Sequence, residues 1–134
     1  MTTYENRDYP TLCPYLYCED GAAMFDWLQR VFGFTERMRS DRPDGALGHA
    51  ELELDGGVVM LAHVAGHKSP RTTGVRPGGL YVHVADVDAH YAHAKGQGAQ
   101  VDGEPADQTY GVRSYGAVDL EGNQWWFSTP LSPG

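Results

Sequence analysis

The stretch YCEDGAAMFDWL, residues 17–28, returns sixty-six positions later as HVADVDAHYAHA, residues 83–94. The likeness is one of position: Asp20 falls on Asp86, Phe25 on Tyr91 and Leu28 on Ala94, and the same offset carries Gly56 onto Gly122 and Met60 onto Trp126. A constant register across a helix and a hairpin marks an internal repeat. In the first copy TLCPYLYC is apolar and aromatic and reads as a strand. Asp20 then offers an N-cap, and Met24, Leu28, Val31 and Phe32 recur at helical spacing until Gly33 stops the helix. FTERMRS follows as a short strand, DRPDG as a turn, and GHAELEL, DGG and VVMLAHV as a hairpin. The second copy repeats the order: GLYVHVA, a helix near Val87 to Gln97, AQVDG, SYGAVDL and QWWFST. Between the copies, AGHKSPRTTGVRPGG is rich in Gly, Pro, Ser and Thr, has no apolar period, and reads as a linker or mobile loop. The expected fold is α+β, one domain over 1–134 made of two βαβββ modules in tandem. Module one covers about 10–64, a connecting loop 65–78 and module two about 79–130, with curved mixed sheets enclosing a cleft.

Composition narrows the function classes. A chain of 134 residues with 41% hydrophobic content is long enough for a real core. No run approaches the roughly 18 apolar residues of a membrane span, and MTTYENRDYP lacks the basic start and apolar stretch of a signal peptide, so a cytoplasmic location is expected. Only Cys13 and Cys18 are present, at a spacing that sends them to opposite faces of a strand and disfavours a disulfide. Ten basic against eighteen acidic residues give a net charge of −8, the wrong sign for nucleic acid and the right one for drawing in cations.

The elements PYLYCEDGAAMFDWLQRVFGF, GHAELELDGGVVML, YVHVADVDAHYAHAKGQGA and YGVRSYGAVDLEGNQWWFSTP resemble, over nearly the whole chain, the vicinal oxygen chelate superfamily of glyoxalase I, extradiol dioxygenases and bleomycin-resistance proteins. Leu120 departs from the pattern, standing where many members carry Pro in a DPxG turn. In metal-using members each module supplies a ligand from its first strand, about seven positions before the capping Asp, and often another from its last strand. Carried over, the resemblance places Cys13, Met60, Gly79 and Trp126 at those sites. A thiol, a thioether, a glycine and an indole are not the imidazole and carboxylate set that such metals take, so no metal and no cofactor is expected there.

If Trp126 occupies an old ligand site, it faces the cleft, and Trp125 and Phe127 turn back toward the helices. The same alternation places Tyr15 and Tyr17 beside Cys13, and Tyr81 and His83 beyond Gly79, on the cleft side. A two-residue turn at Gly56 brings His49, Glu51 and Glu53 to the side of Met60. Tyr110, Arg113 and Tyr115 sit in or near a Gly-flanked loop that can cover a ligand, and the Arg can orient an anion or pair with an acid. Three alternatives stand beside this lining: Glu51 and Glu53 as a solvated strand face, both indoles as core filler, and a substitute metal site from His49, Glu51 and His83. His90 and His93, on the helix, are expected to be exposed. Two function classes follow. One is a metal-free binding protein of the bleomycin-resistance type, dimeric by resemblance, that sequesters an aromatic or cationic small molecule and serves antibiotic resistance. The other is an isomerase, lyase or dioxygenase of the superfamily with His49 or Glu51 as general base, or a relocated metal.

Overall fold

A computed structural model describes residues 8–132. Its elements run β1 (Tyr15–Cys18), α1 (Gly21–Phe32), β2 (Thr35–Asp41), β3 (Leu47–Leu54), β4 (Gly57–His63), α2 (Pro70–Thr73), β5 (Gly79–His83), α3 (Val87–Gly96), β6 (Gln100–Val101), β7 (Ala106–Asp107), β8 (Val112–Val118) and β9 (Gln124–Pro130). The two long helices begin alike. The Asp20 carboxylate accepts the Ala23 N–H at 3.1 Å, and the Asp86 carboxylate accepts the Ala89 N–H at 3.1 Å, each satisfying a donor that the first helical turn leaves without a partner. Gly33 closes α1 with φ 82°, in the left-handed region that a side chain disfavours.

The strands form two open mixed sheets, ordered β1-β4-β3-β2 and β5-β9-β8-β6, with β7 attached to β8. Together with the helices they make two βαβββ modules in tandem, and neither sheet is closed. The repeat survives in the pairing: Tyr15 lies opposite Met60 on parallel β1 and β4, and Tyr81 lies opposite Trp126 on parallel β5 and β9. The hairpins differ. Leu54 pairs with Gly57 across a two-residue turn in which Asp55 (φ 49°) and Gly56 (φ 85°) both adopt positive φ, the Asp-Gly chemistry that this turn requires. In module two Val118 pairs with Gln124, so 119–123 form a longer turn, and β8 slips by one residue against the repeat.

Asp119 holds that longer turn from inside. Its buried carboxylate accepts the backbone N–H groups of Glu121 and Asn123 at 2.9 and 3.0 Å, the Asn123 amide at 2.9 Å and the Trp125 indole N–H at 2.8 Å. With these bonds in place, Leu120 needs no proline to set the turn. Buried Glu121 reaches the other module and accepts the N–H groups of Glu19 and Asp20 at 2.8 and 2.9 Å, just ahead of α1.

The helix sides of both sheets share one core. Phe32, at the end of α1, stands 4.8 Å from the Phe127 ring and 5.4 Å from Trp125, and Phe34 stands 5.7 Å from Trp125. Ala50, Leu52, Val59 and Leu61 of one sheet and Tyr115, Ala117, Trp125 and Phe127 of the other belong to this cluster. The faces without helices therefore lie on the outside of it.

Three sequence expectations change. The linker contains α2, and its buried Ser69 donates from both its backbone N–H and its hydroxyl to Glu19. The AQVDG strand shrinks to β6, two residues long. His90 is not an exposed helix residue: its ring packs tilted against Phe127 with centroids 4.0 Å apart, Nε2 lies 2.8 Å from the Phe32 carbonyl and Nδ1 2.6 Å from the Tyr115 hydroxyl. A carbonyl only accepts, so Nε2 carries the hydrogen and Nδ1 takes the one from Tyr115. Burial holds the His90 pKa below its ordinary value. His93 is exposed, as expected. Both cysteines are free thiols, and burial among acids pushes that of Cys18 far upward. Among the described residues no helix is long and apolar enough to cross a membrane.

Two outcomes follow. Trp125→Ala removes a ring that is 1% exposed, and denaturant melts should show a loss of about 3–5 kcal/mol. His90 is neutral in the fold, with a pKa below that of the unfolded chain, so its contribution is complete above the unfolded pKa of about 6.5 and declines as pH falls through the lower folded value. Melts of the protein and of His90→Gln across this window should show a steeper acid-side loss in the parent.

Candidate functional site

The outer face of the first sheet is built on a cross-strand row, Tyr15, Met60 and Glu51, each opposite the next on β1, β4 and β3. Glu51 and Met60 thus share a face, as the two-residue turn predicts. Tyr15 is 46% exposed, stands edge-on to Tyr17 at 5.9 Å, and its hydroxyl lies 2.8 Å from His49 Nδ1. His49 Nε2 lies 3.0 Å from Glu51 Oε2. Glu51 is 1% exposed, which rules out the solvated-face alternative for it. The Tyr9 hydroxyl donates to its oxygens at 2.9 and 3.1 Å, and Arg37 stands 3.7 Å away as an ion-pair partner. Arg37 also pairs with Glu53 at 3.1 Å and lies over the Tyr9 ring at 4.8 Å.

The outer face of the second sheet carries the equivalent row, Tyr81, Trp126 and Gly116. Trp126 is 38% exposed, whereas its neighbour Trp125 is buried, as strand alternation requires. The Tyr81 ring centroid lies 6.4 Å from Trp126 and 5.5 Å from His83, whose Nδ1 is 2.9 Å from the Ser128 hydroxyl. Gly79 makes room for the indole: a Cβ there would stand 2.6 Å from Trp126 Cζ3. Gly116 makes room for an acid. A Cβ there would collide with Asp102 Oδ2, so the Asp102 carboxylate lies over the position from which Glu51 springs in module one. The Gln124 side chain steadies it, Nε2 donating to the Asp102 carboxylate at 3.5 Å while Oε1 accepts from Arg76 at 3.1 Å. Sequence reasoning missed Asp102. The available signal was a glycine inside strand β8, which marks close approach of another group.

Arg113 and Tyr115 do not join this row. They alternate with Ser114 and Gly116, so they take the helix side, where Tyr115 is in the core and Arg113 pairs with Asp88 and Asp107, each at 3.1 Å. Tyr110 stands exposed in the turn before β8. Between the modules, β5 passes the start of β4 along a groove of about 530 Å³ lined by Leu12, Phe34, Val59, Leu80, Tyr81 and Trp125, among others.

The positions that carry metal ligands in the resembling family do not fit a divalent ion here. The Cys13 thiol donates to the Pro10 carbonyl at 3.5 Å, Met60 offers a thioether, Gly79 offers nothing, and the Trp126 indole has no lone pair to donate to a metal. Among the described residues no group of three His, Cys, Asp or Glu side chains could hold a metal ion. The substitute site fails on geometry too: His49 and Glu51 are bonded to each other on one sheet, and His83 is bonded to Ser128 on the other.

Comparison with known proteins agrees with this architecture. The family model described as Glyoxalase/Bleomycin resistance protein/Dioxygenase superfamily matches residues 10–127. The protein Mb0911c of Mycobacterium bovis is 36% identical over 129 residues, which cover 91% of this chain and 84% of that protein. Among solved structures, TioX from Micromonospora sp. ML1 superposes with a TM-score of 0.74 at 32% identity, covering 90% of this chain and 98% of TioX. TnmS3, an antibiotic binding protein from Streptomyces sp. CB03234, superposes with a TM-score of 0.67 at 22% identity over 94% and 99% of the two chains, a likeness of fold.

Protein purified without chelator and then exposed to Ni²⁺, Zn²⁺, Mn²⁺ or Fe²⁺ should retain no stoichiometric ion by elemental analysis. Its melting temperature should not move with EDTA, because the donor set described above is the wrong one.

Proposed function

We propose, from the premise that this chain belongs to the glyoxalase/bleomycin resistance protein/dioxygenase superfamily, that it is a small-molecule binding protein that sequesters an aromatic or cationic ligand and uses no metal. The fold hosts many chemistries, so the reading rests on the site. One observation carries it: Trp126 and Tyr81 lie side by side on an outer sheet face, with the Asp102 carboxylate over the adjoining Gly116. Half-exposed rings of this kind supply large apolar area at small entropic cost, and a cation held against an aromatic face gains about 0.5–2 kcal/mol. The acid adds charge complementarity, and a net charge of −8 speeds capture of cations.

Antibiotic resistance is the role that this chemistry suits, and the antibiotic-binding description of TnmS3, a protein of the same fold, supports it. We further propose a cytoplasmic homodimer. Each chain presents two outer faces, one with Tyr15, Tyr17, Met60 and Glu51 and one with Tyr81, His83, Trp126 and Asp102. Pairing the first of one copy with the second of another would enclose a cleft between them. A second reading, an isomerase or lyase, is favoured by the His49–Glu51 hydrogen bond. In it His49 is the base, since the Glu51 oxygens are already engaged by Tyr9, His49 and Arg37.

Trp126→Ala should weaken binding of a planar aromatic cation by roughly 2–4 kcal/mol in a fluorescence titration, the loss expected of an aromatic anchor. It should cost less stability than Trp125→Ala. Unchanged affinity together with equal destabilisation would show that the second indole is core filler.

A further inference from the structure

Arg37, Arg39, Arg42 and Arg113 each stand between 2.9 and 3.8 Å from a carboxylate. Arg71 and Arg76 do not. Among the described residues neither has an acid at ion-pair distance, and both line one cavity of about 530 Å³, where the segment between the modules meets the second hairpin. Each is tied by one nitrogen to an uncharged oxygen: Arg71 Nη1 donates to the Leu120 carbonyl at 3.0 Å, and Arg76 Nη1 to Gln124 Oε1 at 3.1 Å. The other guanidinium N–H groups have no partner among the described residues.

The anchors are themselves fixed. Gln124 Nε2 lies 3.3 and 2.9 Å from the carbonyls of Ala117 and Trp125, which only accept, so the amide must turn its oxygen to Arg76. The Arg71 backbone N–H donates to the Glu121 carbonyl at 2.8 Å, and a Cβ at Gly122 would stand 2.6 Å from that nitrogen, so the backbone bearing Arg71 is seated on the hairpin turn. Nearby acids are occupied. Asp119, in the cavity wall, is buried with Glu121, Asn123 and Trp125 donating to its carboxylate. Glu19 feels the charge of Arg71 from beyond ion-pair distance, and its carboxylate takes Ser69 and Thr72. Asp102 and Arg76 bond opposite ends of the Gln124 amide, which holds them apart.

We propose that Arg71 and Arg76 form an oxyanion-binding site that takes a carboxylate or phosphate group. A guanidinium presents its N–H groups in a planar fork that matches such a group, and one tethered nitrogen reduces the freedom lost when the fork is filled. Gln100, also on the cavity, adds an amide with no hydrogen bond of its own among the described residues. Gln100, Val118 and Gln124 form one cross-strand row, and Gly116 and Trp126 the next along the same strands, so the cavity adjoins the aromatic outer face. The oxyanion is either free or the acid group of a ligand lying on that face. The site does not rest on the cation-binding reading, and aromatic cations that fail to bind would leave it standing.

The test is titration with inorganic phosphate and with 2-naphthoate at fixed ionic strength, followed by NMR through the backbone N–H signals of Gly74 and Gly122, which line the cavity, and the arginine Nε–H signals. Both anions should give saturable shifts there. Arg71→Gln and Arg76→Gln should each weaken binding roughly tenfold, the loss of a charge-assisted hydrogen-bonded contact, and the double variant should not respond. Both side chains are exposed, so thermal melts should show the variants folded. Arg30→Gln, which removes an arginine bonded to the Gln97 carbonyl away from the cavity, should change nothing. Trp126→Ala weakening 2-naphthoate but not phosphate would support the site as the acid pocket of an aromatic ligand; indifference of both would support it as a site for a free oxyanion. Shifts that do not saturate, that sodium chloride reproduces at matched ionic strength, or that survive in the double variant would overturn it.

Discussion

The contact of Phe32 with Trp125 and Phe127 is the constraint on which the molecule turns. It joins the end of the first helix to the sheet of the other module, so the two modules have one core between them. A sheet has two faces, and a helix-bearing module buries only one of them. Because both buried faces are spent on the shared core, both remaining faces must look outward, and the residues on them are available for other work. Glu121, reaching from the second hairpin to the start of α1, locks the same arrangement through polar bonds.

Strand alternation then distributes chemistry between inside and outside. Trp125 and Phe127 go in and Trp126 stays out; Leu16 packs on the core and Tyr15 and Tyr17 do not. The outer faces are alike in pattern, with a tyrosine on the first strand, a large side chain on the fourth and a carboxylate beside it. They differ in how the carboxylate arrives. Glu51 grows from its own strand, while Asp102 leans in from the β6–β7 connection over a glycine. The acid on one face is therefore buried and bonded, and the acid on the other is exposed.

Much of this was legible in the sequence because it depends on local periods. The sixty-six residue offset appears directly as strand register, and the Asp-Gly turn set the parity that puts Glu51 beside Met60. The caps at Asp20 and Asp86 were visible as residue types in place. What was hidden depends on partners far along the chain. His90 is bonded to a carbonyl fifty-eight residues earlier, which no helical period encodes. Asp102 lies in a connection with no period of its own. Arg113 is a different case: the sixty-six residue offset equates Glu51 with Ala117 and would turn the odd positions of β8 outward, and the one-residue slip of β8, which the offset does not encode, sends Arg113 to the helix side beside Asp88.

The glycine at position 79 couples two residues that lie far apart in the sequence. The bare backbone there and the indole of Trp126 fit each other, since a Cβ would stand 2.6 Å from the ring. A side chain at 79 collides with the tryptophan while the ring remains, and shrinking the tryptophan alone leaves an empty space beside the glycine. The two positions form one unit of substitution: each residue is acceptable only in the company of the other, and the costs of changing them do not add.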